Sequence, residues 1–226
     1  MPKTKRRMTV VLGAALALVC GLPALAAGGS RIEEIAPVEA ELTPEQQADR
    51  HYNEGLAQRD EAWRLEKKLV QAPAEKRDKI EQKISQAHER SVTEFTSALA
   101  SNPRHYQALA GLGYAFRQLG DYAKALAAYD AALEISPGYG PALEYRGEAY
   151  LAMNRINDAQ NAYRVLLEHD PRLAPELLGA MQSWIEARRA VPAAGVESAQ
   201  IDGLESWVKD RDRAAAESSL HKTRTW

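Results

Sequence analysis

Residues 106–139 read YQALAGLGYAFRQLGDYAKALAAYDAALEISPGY, and residues 140–173 read GPALEYRGEAYLAMNRINDAQNAYRVLLEHDPRL. The second stretch repeats the first at a spacing of 34 positions: Leu109, Gly113, Phe116, Ala125, Tyr129 and Pro137 return as Leu143, Gly147, Tyr150, Ala159, Tyr163 and Pro171. Six matches at one period mark an internal repeat, and repeats of this length are single helix–turn–helix units that bury their apolar faces by stacking on neighbours.

Each recurring residue has a physical task in such a unit. Gly113 and Gly147 carry no side chain, so the first helix can approach the second closely, and Ala125 and Ala159 leave matching space opposite. Phe116 and Tyr129, like Tyr150 and Tyr163, fill the groove between paired helices. Leu109, Leu112, Leu119 and Leu126 complete an apolar stripe. Gly120-Asp121 and Asn154-Arg155 form the turns, because glycine and asparagine tolerate left-handed backbone. Pro137 and Pro171 end the second helices by withholding an N–H donor.

These residues resemble the tetratricopeptide repeat family, and with the N-terminal sequence described below they look like its exported bacterial type. The resemblance implies an all-α fold, a short right-handed α-solenoid of antiparallel helix pairs. Residues 106–139 match the family pattern nearly throughout. Residues 140–173 depart from it at Arg146, where leucine is usual, and at Leu166, where a small residue is usual, so packing there is expected to differ locally.

Working outward, residues 174–190 place Leu177, Leu178, Met181, Trp184 and Ile185 at helical spacing and read as a helix capping the last unit. Residues 191–226 read as a linker and an amphipathic C-terminal helix, about Ser198 to Ser218, with Ile201, Leu204 and Val208 on one stripe and Trp207 beside it. On the other side, residues 48–105 read as a degenerate, extended first hairpin. Tyr52, Asn53 and Gly55 sit on its first helix, and Phe95 and Ala98 stand where Tyr129 and Ala132 stand in the next unit. Gly55 and Pro103 are 48 positions apart against 24 in the later units, which predicts two long helices projecting beyond the array. Leu56, Trp63 and Val70 recur every seven residues on the outward helix, and Ile80, Ile84, Ala87 and Phe95 follow helical spacing on the return. Residues 27–47 are expected to be a flexible N-terminal segment.

The chain opens with Lys3, Lys5, Arg6 and Arg7, an apolar run from Val10 to Cys20, and Ala24-Leu25-Ala26. This is the pattern of a secretory signal, residues 1–26, cleaved after Ala26. An uncleaved anchor, lipidation at Cys20 and twin-arginine export are the other readings, opposed respectively by the shortness of the run, by the bulk of Val19 and by the polarity of Thr9. Cleavage removes the only cysteine and leaves 25 basic against 31 acidic residues. The expected location is the periplasm, with no stable membrane insertion after cleavage.

A mildly acidic chain offers no basic surplus for a phosphate backbone, so nucleic acid is not an expected partner. His51, His88, His105, His169 and His221 are scattered, with no pair at ligand spacing, and no phosphate loop, nucleophile elbow or HExxH sequence occurs. No metal, no cofactor and no catalytic residue is expected.

The expected function is binding: a non-enzymatic scaffold or adaptor of the cell envelope that holds another protein or peptide. The alternative is an accessory or carrier subunit of an exported enzyme or cell-wall assembly complex. The resemblance implies a concave surface lined by the first helices, with Asn53, Tyr114, Arg117, Glu144, Tyr145, Glu148 and Gln182 facing inward. Family members that clamp a terminal carboxylate use a lysine–asparagine pair and further basic residues there. Ala110, Tyr114, Glu144 and Glu148 depart from that set, which puts an acidic ligand in doubt and suits a basic or aromatic one.

Overall fold

Thr43 sets the start of the first helix. Its hydroxyl accepts the N–H of Gln46 at 3.2 Å, and the Gln46 side chain accepts the N–H of Thr43 at 2.9 Å. Proline follows at the first helical position, where its missing N–H costs nothing. Pro44 to Gln47 are therefore helical rather than part of a flexible lead, which corrects the expected boundary at residue 48.

The structure is a computed structural model that describes residues 41–191 and 195–223. The signal-like segment and Cys20 lie outside the described residues. Among those described, eight helices follow one another without a strand: α1 (Pro44–Val70), α2 (Ala74–Ser101), α3 (Tyr106–Gln118), α4 (Tyr122–Ile135), α5 (Gly140–Ala152), α6 (Ile156–His169), α7 (Ala174–Ala190) and α8 (Ser198–Thr223). The fold is an all-α solenoid of antiparallel helix pairs, with one contiguous core running from α3 to α8 and a smaller cluster around Phe95. None of the described helices is long and apolar enough to cross a membrane.

The turns inside the two repeat units are alike because their chemistry is alike. Gly120 has φ +80° and Asn154 has φ +59°. Around each, the chain closes with the two hydrogen bonds of a Schellman motif: Gly120 N–H to Arg117 C=O and Asp121 N–H to Phe116 C=O, then Asn154 N–H to Leu151 C=O and Arg155 N–H to Tyr150 C=O. Asp121 also caps α4 through the N–H of Lys124.

Close approach explains the glycines. A Cβ on Gly113 would stand 2.5 Å from the ring of Tyr129, which is fully buried. In the first hairpin, a Cβ on Gly55 would stand 2.6 Å from the ring of Phe95, and one on Gly111 of α3 would meet the same ring at 2.6 Å. Phe95 is thus a wedge held between its own pair and the next. Gly147 behaves differently from its expected role: the space it leaves is filled by Leu177 of α7, 2.6 Å from its would-be Cβ, and not by its own second helix. Arg146 is accommodated by reaching to Asp130 of α4 at 2.8 Å.

The first hairpin is long. At about 1.5 Å per residue, α1 with its 27 residues runs roughly 20 Å further than α3 with 13. Its seam differs from the expected row. The buried residues of α1 include Ala48, Gly55 and Ala62, seven apart, whose small side chains let α2 lie close. Ser91 donates its hydroxyl across that seam to the carbonyl of Gly55 at 3.1 Å. Val70 is 81% exposed, and Leu56 and Trp63 turn toward α3.

At the other end, α8 folds back on α7 and buries Ile201, Leu204 and Val208. Trp207 meets Tyr163 of α6 edge to face, with ring centroids 5.2 Å apart.

Candidate functional site: the groove of the first helices

The first helices of successive pairs lie side by side, and α1, α3 and α5 together enclose a cavity of about 120 Å³. From α1 it is lined by Tyr52, Leu56 and Arg59, which with Trp63 form a helical row at spacings of four, three and four residues. Gln107 and Tyr114 line it from α3, and Tyr139, Pro141 and Tyr145 from the start of α5. The rings are in mutual contact: Tyr114 and Tyr145 at 5.1 Å between centroids, Tyr106 and Tyr139 at 5.0 Å, and Trp63 edge-on to Tyr114 at 6.0 Å.

Polar groups fix this aromatic lining. The Trp63 indole N–H and the Gln118 amide both donate to the Tyr114 hydroxyl. Arg59 lies 4.3 Å over the Trp63 ring and pairs with Asp60. Arg117 bridges α3 to α5 by pairing with Glu148 at 2.7 Å while its guanidinium rests over Tyr114 and Tyr145. Burial, with neighbouring charges, pushes the hydroxyls of Tyr139 and Tyr145 up to about 12, so both remain donors at physiological pH. His88 of α2, buried beneath Tyr114, is lowered to about 4 by burial and by Arg117, and is neutral in the folded protein.

Glu144 is the exception to this pairing. It is 9% exposed, and no hydrogen bond or ion pair engages its carboxylate among the described residues. Burial raises it to about 7, helped by the negative charges of Glu148, Glu176 and Asp170 and opposed by Arg117. The two glutamates expected to act together are therefore unequal: Glu148 is held by Arg117, and Glu144 alone is uncompensated.

That inequality predicts a pH signature. A carboxyl whose proton is held more tightly in the folded state contributes no penalty below its unfolded value near 4.5, and its stability is lost as pH rises through about 7. Glu144→Gln mimics the protonated form. The variant is expected to match the parent at pH 4 and to exceed it by about 1–2 kcal/mol at pH 8. Urea denaturation at both pH values measures this, and an equal difference at the two would mean that Glu144 is not the group responsible.

Of the residues expected to face inward, Tyr114, Arg117, Tyr145 and Glu148 come together, with Glu144 beside them. Asn53 is exposed, one position round α1 from the row at Tyr52. Gln182 is exposed and lines a separate groove with Ile185 and Val208, between α7 and α8. The residues that sequence reasoning did not assign to this surface are Tyr52, Arg59, Trp63, Gln107 and Tyr139. The available signal was the four-three-four spacing of Tyr52, Leu56, Arg59 and Trp63 on α1. One histidine has carboxylates beside it: His51 Nδ1 meets Glu94 at 2.8 Å with Glu54 at 4.0 Å. The hydrogen bond to Glu94 alone accounts for that cluster.

Stacked helix pairs around a groove define the architecture of a protein-interaction module. Two tetratricopeptide repeat family models match the sequence, over residues 86–140 and 116–183. Residues 86–183 thus match tetratricopeptide repeats. Among solved structures, it is similar to the first tetratricopeptide domain of Spaghetti (RPAP3) bound to the HSP90 peptide SRMEEVD. That match has 17% identity and a TM-score of 0.47, and covers 62% of this chain and 96% of that one. The first tetratricopeptide domain of human RPAP3 is similar at 18% identity and a TM-score of 0.38, covering 55% of this chain and 95% of that one. Comparison with curated proteins found no match.

Proposed function

We propose that the protein is a non-enzymatic scaffold of the cell envelope that holds a peptide segment of a partner protein in the groove of α1, α3 and α5. The observation that carries this reading is the aromatic lining, whose Trp63–Tyr114–Tyr145 contacts end beside an unpaired carboxylate. Rings in contact present a large rigid surface at low entropic cost, and Glu144 gives that surface one directional charge. The envelope location rests on the signal-like sequence of residues 1–26. In this reading Tyr114, Arg117, Tyr145 and Glu148 shape the groove, and Glu144 orients the ligand. Asn53 lies at its margin, and Gln182 belongs to the separate groove between α7 and α8.

Crosslinked capture from intact cells tests it. Arg59→Glu and Glu144→Gln alter the groove, whereas Lys67→Glu with Lys68→Glu alters only the far end of the long hairpin. The dominant crosslinked partner is expected to be lost with the groove variants and kept with the hairpin variant. The opposite pattern would assign binding to the hairpin and end the groove reading.

A further inference from the structure

The far end of the first hairpin has a surface unlike the rest of the molecule. Residues 67–83 carry six basic side chains, Lys67, Lys68, Lys76, Arg77, Lys79 and Lys83, against three acidic ones, Glu75, Asp78 and Glu81. In the whole chain the balance is reversed, with 31 acidic residues to 29 basic. None of the side chains of this segment is buried, so core packing does not account for them.

Elsewhere most of the described basic side chains are neutralised by a neighbour: Lys124 by Asp121, Arg146 by Asp130, Arg155 by Asp158 and Arg172 by Asp170. The last such arginine before the hairpin end is Arg64, paired with Glu61 at 2.8 Å, and none of the six cations beyond it makes an ion pair with any described residue. On α2, Lys76, Lys79 and Lys83 stand three and four apart and share a face, while the three acids run along a second row. Between the two helices lie Val70 and Pro73. At 81% exposure, Val70 is the most exposed large hydrophobic side chain among the described residues.

Three kinds of anionic partner meet cationic surfaces, and the residue types here separate them. Protein interfaces favour arginine and aromatic side chains and are depleted in lysine. Five of the six cations are lysine, and residues 67–83 contain no aromatic ring. A nucleic-acid surface needs a wide basic face or stacked rings, and this hairpin end has neither. A bilayer with anionic headgroups asks for less. Diffuse positive charge suffices, and an aliphatic side chain enters the headgroup layer without a pocket shaped for it.

We propose that the end of the first hairpin, from Lys67 to Lys83, docks on a membrane surface of anionic phospholipid, with Val70 at the point of contact. The attachment is peripheral, since no described helix is long and apolar enough to cross. It stands apart from the groove reading, because none of these residues lines the cavity of α1, α3 and α5.

The test uses the full chain with vesicles of phosphatidylglycerol and phosphatidylcholine, and with vesicles of phosphatidylcholine alone. Residues 1–26 are themselves basic and apolar, so the readout is confined to the hairpin end: Val70→Cys in a Cys20→Ser chain, labelled with a polarity-sensitive bimane. The label is expected to shift to the blue with the anionic vesicles and not with the neutral ones, and to return on raising salt to about 0.5 M. Lys67→Glu with Lys68→Glu should raise the lipid concentration needed for half the shift at least about tenfold, and adding Lys76→Glu with Lys79→Glu should abolish it. All four positions are exposed, and circular dichroism checks that the variants fold as the parent does. An unshifted label overturns the proposal, whatever residues 1–26 contribute to sedimentation with lipid. An equal shift with neutral vesicles, or one that survives the four reversals, overturns the role of the lysines. A label that responds to polyglutamate and not to vesicles assigns the hairpin end to an acidic protein instead. Each of these failures leaves the groove reading to be decided by the crosslinked capture.

Discussion

Phe95→Ala is expected to destabilise the protein by about 3–5 kcal/mol, the usual cost of emptying a fully buried phenylalanine site. The same truncation should reverse the sign of two other substitutions. In the parent, Gly55→Ala and Gly111→Ala each drive a methyl into the Phe95 ring, 2.6 Å away, and that ring is packed on both sides. Once the ring is gone, each methyl enters empty space and gains the helix propensity of alanine over glycine, about 1 kcal/mol. Both changes should therefore be damaging in the parent and stabilising in the Phe95→Ala background. Chemical denaturation of the single and double variants measures the coupling. Glycine substitutions that stay damaging without the ring would show that something else crowds those positions. Because Phe95 joins the first hairpin to α3, and stacked pairs are stabilised through their neighbour contacts, its loss should also separate the melting of α1 and α2 from that of the remaining helices.

The second large effect is expected at Arg117. Arg117→Met keeps an apolar stem against Tyr114 and Tyr145 and removes the charge that holds Glu148. Removing one partner of a buried pair leaves an uncompensated charge, and the expected cost at pH 8 is about 3 kcal/mol. Arg117 also opposes the burial that raises both Glu144 and Glu148. Without it, both carboxyls hold their protons to higher pH, so the variant loses stability as pH rises from about 4.5 and recovers as pH falls. The deficit at pH 5 should be less than half that at pH 8. Adding Glu148→Gln to Arg117→Met should restore most of the loss at pH 8. A deficit that is independent of pH and unrelieved by Glu148→Gln would mean that Arg117 acts through packing alone.

What the sequence discloses here is what depends on neighbours along the chain. The turns at Gly120 and Asn154 were legible because a left-handed residue between two helices is a local requirement, repeated at the period. Gly113 was legible because its partner Tyr129 lies in the same pair. Gly147 shows the limit: the same residue at the same place in the pattern makes room for Leu177 of the following helix. The face of α1 that lines the groove depends on how the whole first hairpin settles against α3. That orientation is set by the Phe95 wedge and by the small-residue seam at Ala48, Gly55 and Ala62, and only with both known do Tyr52, Arg59 and Trp63 turn inward while Asn53 turns away. The inequality of Glu144 and Glu148 was equally hidden. Both are glutamates on one helix, and only the pairing of Arg117 from α3 with one of them sets them apart.

The manner in which α8 ends the array has a consequence for recognition. Helix arrays are modular in one dimension, and an uncovered last pair is an apolar edge onto which another copy can add. With Ile201, Leu204 and Val208 laid against α7, and Trp207 set on Tyr163, that edge is closed. The lining rows then come from three first helices spaced by about 10 Å, a span of roughly 20 Å, or about six residues of extended chain. The protein is in this sense a gauge of fixed length. On the proposed scaffold function, the groove takes one short segment at a time, and firmer attachment would come from partners that carry such segments in series, where several copies of the protein add their grip through avidity.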